Sequence, residues 1–189
     1  MTSITDDILT WSEKYLEPKN KHLGNVPVCP YARLARLKNT YRILECKKFK
    51  NFLDTILQAV ELAKKPDIQI AIVGCTDIGY EPEELDAVIH AYNLVFVPQG
   101  IYLMCSHPFD EDEEEEVDFL DTEDWVPENE FMMVLVQKYD ELEKASDNLR
   151  KTGYYQHWPS DYYEGTVLKR KSYRRYRDGR TRIIRKHSR

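Results

Sequence analysis

Apolar and polar positions follow two periods along this chain, and each change of period marks an element. Residues 2–17 set Ile8, Leu9, Trp11, Tyr15 and Leu16 at helical spacing behind Thr5, a candidate N-cap followed by Asp6 and Asp7. Pro18 stops that helix. A connector rich in breakers follows over 18–30, and 31–38 reads as a short basic helix with Leu34 and Leu37 inward. The period then shortens to two. Residues 41–46 read as a strand, 49–64 as a helix carrying Phe49, Phe52, Leu53, Ile56, Leu57, Val60 and Leu62 and closed by Pro66, and 68–73 as a nearly continuous apolar strand.

Pro82 suits the first turn of a further helix through Tyr92, with Leu85, Val88 and Ile89 on one side. A strand over 101–105 follows Gly100. After an acidic interruption, 131–136 reads as a fourth strand and 139–151 as a helix ended by Gly153. The β-α-β-α-β order predicts an α/β fold: a mainly parallel sheet of about four strands flanked by helices. Beyond the aromatic patch Tyr154, Tyr155, His157, Trp158, Tyr162 and Tyr163, the Asp178-Gly179 turn signal predicts a basic C-terminal ribbon or tail, pairing 172–177 with 180–186. Arg177 would then face Arg180, and Arg175 would face Arg182. Like charges across a ladder repel, so the ribbon is expected to be loose until an anion arrives.

Length and composition fit one domain. The 189 residues are 42% apolar and 12% aromatic, ordinary values for a globular chain. The expected division is a single α/β domain over 1–168 and a basic tail over 169–189. No apolar run reaches membrane-helix length and the N-terminus opens on acids, so the chain is expected in the cytoplasm, without a membrane partner. Cys29, Cys46, Cys75 and Cys105 lack zinc-finger spacing and read as reduced thiols.

Charge changes the picture more than composition does. Eleven of the fifteen residues 110–124 are acidic, whereas 169–189 holds eleven Lys and Arg against one Asp, Asp178, so a net charge of -6 conceals two opposed poles. The acidic segment reads as a solvated loop that can gather cations or imitate nucleic-acid phosphate. In the basic segment Arg174, Arg175, Arg177, Arg180 and Arg182 interleave with Tyr173 and Tyr176, which suits phosphate pairing and base stacking. The alternatives are solvated disorder, or folding back on the acidic loop.

Two constellations carry candidate chemistry. Cys46, Cys75 and Cys105 fall at the carboxyl ends of the three proposed parallel strands, with Asp77 and His107 two residues beyond the last two, and in open α/β sheets ligands bind at that rim. His107, at a strand exit before a Pro, suits an acid, base or ligand; it can equally hydrogen-bond the loop backbone. His90 reads as a surface or packing residue. The second constellation is Cys29 before a possible helix carrying Arg33 and Arg36, a setting that lowers a thiol pKa. The same cysteines are also small hydrophobes suited to core packing, and Cys29 can simply fill a pocket under the Pro27–Pro30 bracket.

Cys29-Pro30-Tyr31-Ala32 and His107-Pro108 resemble elements of short uncharacterised bacterial proteins, some attached to biosynthetic pathways. Those proteins carry Cys-Pro-Phe-Ala near the N-terminus and a later His-Pro. The resemblance brings no activity with it. The resulting expectation is a small cytoplasmic enzyme of unknown reaction, accessory biosynthetic or viral, acting on a small-molecule substrate. Its catalytic residues would be Cys29 as thiolate, His107 as acid-base group and Asp77 as orienting carboxylate; Cys29, Cys75, Cys105 and His107 would be the ligands if zinc or iron binds. The alternative is a non-enzymatic nucleic-acid or protein-binding module using the basic tail. P-loop, dinucleotide and hydrolase-elbow motifs are missing from the sequence.

Overall fold

The apolar strand Ile70–Cys75 is buried along its whole length, and the protein is built outward from it. The computed structural model describes residues 3–109 and 130–179. The acidic segment 110–124 and the second ribbon arm 180–186 lie outside the described residues. In chain order the elements begin with α1 (Ile4–Trp11), which passes through a π-helical turn, Ser12–Leu16, to the short strands β1 (Lys19–Asn20) and β2 (Val26–Pro27). Then come α2 (Ala32–Leu37), β3 (Tyr41–Cys46), α3 (Phe52–Ala63), β4 (Ile70–Cys75), α4 (Pro82–Phe96), β5 (Ile101–Ser106), β6 (Met132–Lys138) and α5 (Tyr139–Lys151). Last are α6 (Ser160–Tyr163), a second π-helical turn over Glu164–Leu168, and α7 (Lys169–Ser172).

The α/β expectation holds, but the sheet is mixed. Its order is β3-β4-β6-β5, with one parallel pair, β3 and β4, and antiparallel pairs on both sides of β6. The β-α-β-α-β order accounts for the common direction of β3, β4 and β5 but says nothing of the fourth strand. Strand β6 inserts between β4 and β5 and runs antiparallel to both. The strands β3, β4 and β5 still run the same way and leave the sheet at one rim.

Helices α3 and α4 cover one face, where Phe52, Ile56, Val60, Leu85 and Ile89 meet Ala71, Val73, Leu103 and Val134. On the other face α1 sets Ile4 and Ile8 against Ile70, Ile72 and Met133, while Tyr139 and Tyr173 cover Tyr102. Local departures from the predicted pattern have local causes. Ser3, not Thr5, caps α1, sharing a capping box with Asp6, because Thr5 is turned to the Glu45 carboxylate of β3. In α2 the inward residues are Ala32 and Ala35, and Leu34 and Leu37 face outward, 49% and 65% exposed. Arg36 sets that rotation by gripping Glu17 at 2.7 Å and Glu13 at 2.7 Å.

The C-terminal segment differs most from expectation. Residues 174–179 are helical, as is α7, so the first half of the predicted ribbon is not a strand. Arg170 is buried, donating to Glu143 at 2.7 Å and to Ser146 at 2.6 Å on α5; Arg177 pairs with Asp140 at 2.7 Å and donates to the Pro98 carbonyl. Acids of the folded domain supply the counter-charge, and the segment docks as helix.

Strand β5 is a sheet edge, and α4 closes it with a side chain. Asn93 donates to the Leu103 carbonyl at 2.9 Å and accepts the Leu103 N–H at 2.8 Å, a side-chain imitation of one ladder rung. Asn93→Leu should cost roughly 2–6 kcal/mol, since two buried backbone groups lose their partners at about 1–3 kcal/mol each. Urea unfolding measures it, and a loss below about 0.5 kcal/mol would mean that water replaces the amide.

Candidate functional site

At the carboxyl rim the strand exits are held by their own side chains. Cys46 and Cys75 stand in register on β3 and β4, and each thiol donates to the carbonyl two residues on, Lys48 at 3.2 Å and Asp77 at 3.5 Å. The Asp77 carboxylate accepts the Phe49 N–H at 2.8 Å, tying the exit loop of β4 to the start of α3. His107 is 3% exposed. Its Nδ1 accepts the Phe109 N–H at 3.1 Å, so Nε2 carries the proton and donates to the Tyr80 carbonyl at 2.9 Å. Both ring nitrogens are thus used by backbone. Cys105 shares the α3/α4 side of the sheet, but β6 stands between it and Cys75.

Cys29 belongs to the other end of the molecule. Its N–H donates to the Leu16 carbonyl at 3.0 Å, and its thiol is near enough to Tyr41, the first residue of β3, for their charges to interact. A six-residue strand, roughly 16 Å long at about 3.3 Å per residue, therefore separates Cys29 from the rim. Burial pushes the Cys29 thiol up, the opposite of what a nucleophilic thiolate needs. Cys29, His107 and Asp77 do not form one site, nor do Cys29, Cys75, Cys105 and His107 form one ligand set. Among the described residues no group of three or more His, Cys, Asp and Glu is placed to hold a metal ion.

The proposed nucleic-acid set also divides. Tyr173 is 2% exposed and packs edge-on against Tyr102, so its ring offers no stacking surface. Arg177 is engaged with Asp140. Arg174, Arg175 and Tyr176 remain exposed, the Arg175 guanidinium lying 4.8 Å from the Tyr176 ring centre. Arg180 and Arg182 lie outside the described residues.

What the sequence reading passed over is a cleft between α4, the β5 edge and the C-terminal helices, enclosing about 120 Å³. Tyr173 reaches around β5 into it, its hydroxyl 2.5 Å from His90 Nδ1 on α4. Burial pushes the Tyr173 phenol up, so it keeps its proton in that contact. Beside this pair Lys169 reaches Asp86 at 2.6 Å. Burial pulls the Lys169 ammonium down, but its hydrogen bond to Asp86 and the Asp86 charge outweigh that, leaving it above its ordinary range. Cys105 lines the inner wall and Thr166 and Gly165 the outer one. Gly165 lies in the second π-helical turn, where an added Cβ would meet nothing within 4 Å. Such turns recur at functional sites because they redirect side chains without ending the helix.

No protein-family model, curated protein or solved structure matches this chain.

The cleft therefore stands on its own geometry. One sequence signal for it existed: Asp86, His90 and Asn93 recur at i, i+4 and i+7 on α4, a polar stripe beside the apolar stripe of Leu85 and Ile89. Among the described residues no helix is long and apolar enough to cross a membrane.

Proposed function

We propose that the protein is a small cytoplasmic enzyme acting on a small polar molecule in the α4–β5–α7 cleft, with Tyr173 and His90 as its proton-transferring pair. The observation that carries this reading is the 2.5 Å phenol–imidazole contact at a cavity that also holds a charged pair and a thiol. In this reading Tyr173 donates to an oxygen of the substrate and is reprotonated through His90, which is exposed and can exchange protons with water. Lys169 and Asp86 grip charged groups of the substrate, and Cys105 supplies a polarisable wall. The volume sets the substrate class. The cleft is small, which suits a small carboxylic acid or the reacting end of a larger molecule.

Ligand-observed NMR against lactate, pyruvate, alanine and succinate tests the reading. At least one acid should bind, and Tyr173→Phe, which keeps the ring and removes the hydroxyl, should weaken that binding about tenfold, the scale of one lost hydrogen bond. Lys169→Met should weaken it as well. Binding that neither change affects would place the ligand elsewhere and end this assignment.

A further inference from the structure

We propose that Cys46 and Cys75 form a reversible intramolecular disulfide, a modification site separate from the cleft. The two residues are directly paired in the β3–β4 register, and their side chains point to the same face, towards α3. Neighbouring strands stand about 4.8 Å apart, within the roughly 4.4–6.8 Å between Cα atoms that a disulfide spans, so the link needs little backbone movement. The position also suits an exchange of bonds. Each thiol now holds its own strand exit through an S–H···O contact, to Lys48 and to Asp77, and the Asp77 carboxylate already joins the two exits through the Phe49 N–H. A disulfide would replace two weak S–H···O contacts by one covalent tie across the same junction.

The oxidant is a peroxide, small enough to reach thiols that are 3% and 0% exposed. Cys46 is the thiol that meets it first, because the chain passes from Cys46 directly to exposed Lys47 and Lys48. The Cys46 sulfur attacks one peroxide oxygen and the O–O bond breaks. The departing hydroxide takes the thiol proton to become water, leaving a sulfenic acid. The Cys75 sulfur then attacks that sulfur, the S–O bond breaks, and the second hydroxide leaves as water with the Cys75 proton. Two electrons pass from the cysteine pair to the peroxide, and two waters are formed. Burial, with Cys46 alongside, pushes the Cys75 thiol up to about 12 and keeps it protonated, so the second step relies on the cross-strand pairing that holds Cys75 beside Cys46.

Cys29 and Cys105 serve as internal controls. Both are more exposed than the pair, yet Cys29 lies at the far end of β3 and Cys105 lies beyond β6. The full-length protein is treated with hydrogen peroxide, denatured, alkylated and mapped by peptide mass. The expected product is a Cys46–Cys75 cross-linked peptide, lighter by two hydrogens than the two free peptides, and a reductant should restore four alkylatable thiols. The Cys29→Ser/Cys105→Ser variant should form the same link. If Cys46→Ala and Cys75→Ala do not fold, the wild-type map and this variant decide the matter alone. Alkylation of both Cys46 and Cys75 after treatment, their conversion to sulfinic acids without a link, or a bridge to Cys29 or Cys105 would each overturn the proposal.

Discussion

Replacing Arg170 by alanine should destabilise the protein by about 3–5 kcal/mol, the range seen when one partner of a buried ion pair is removed. Arg170 is 2% exposed, and its partner Glu143 has a side chain only 14% exposed. Alanine would leave the Glu143 carboxylate buried without its cation and would take away the donor that Ser146 accepts at 2.6 Å. The same guanidinium docks α7 onto α5, so Tyr173 should lose its cover and the cleft its outer wall. A paired change separates desolvation from attraction. Arg170→Met combined with Glu143→Leu should recover most of the loss, because well-packed apolar groups of similar size replace buried pairs at little net cost. Urea unfolding of the two variants and the wild type measures both effects. A loss below about 1 kcal/mol for Arg170→Ala would mean that the pair behaves as a surface pair and that the docking of α7 rests on its other contacts, Tyr173 against Tyr102 and Lys169 with Asp86.

The residues that made the sequence legible are those whose local chemistry decides their conformation. Gly153, with φ +78, ends α5 where the sequence placed a helix stop, and Pro82 opens α4 at its first turn. Strand β3 falls on 41–46 as predicted, and β4 starts two residues later than predicted. What escaped depends on partners far along the chain. Nothing within 131–138 tells β6 to enter between β4 and β5. Its place is set by its ladders with β4 and β5 on either side.

The basic segment departs from the expected ribbon for a related reason. Eleven cations in 169–189 suggest repulsion as long as they are considered alone, but Glu143, Asp140 and Asp86 stand 27, 37 and 83 residues away from their partners Arg170, Arg177 and Lys169. The candidate site escaped in the same way. His107 looked chemically available because a sequence does not show that Phe109 and Tyr80 occupy both ring nitrogens. His90 looked bland because Tyr173, its partner, lies 83 residues on. Cys29 carried the right neighbours for a lowered pKa, but burial acts in the opposite direction and wins.

Alkali should unfold this protein cooperatively, and the buried phenols supply the driving force. Burial pushes Tyr139 and Tyr41 up to about 12, and it drives Tyr102 and Tyr154 upward as well. In the unfolded chain all four ionise near their ordinary value of about 10. Between about pH 10 and 12 the folded state therefore holds protons that the unfolded state has released, and unfolding becomes more favourable with every increment of pH. The stability these groups contribute is complete below about pH 10 and is lost as pH rises towards 12. For Tyr139, 2% exposed, such a difference is worth on the order of 3 kcal/mol, so a few such residues together rival the roughly 5–15 kcal/mol of a typical domain. Tyrosinate absorbance and circular dichroism, followed together through an alkaline titration, should show two classes among the thirteen tyrosines. Exposed phenols should ionise first with secondary structure intact, and the buried ones should ionise in the same step in which the helical signal collapses. Tyr139→Phe removes one phenol from the buried class and should move that second midpoint to higher pH. A single ionisation near pH 10 with the circular dichroism unchanged would show that these rings are open to water and that the two faces of the sheet are not sealed.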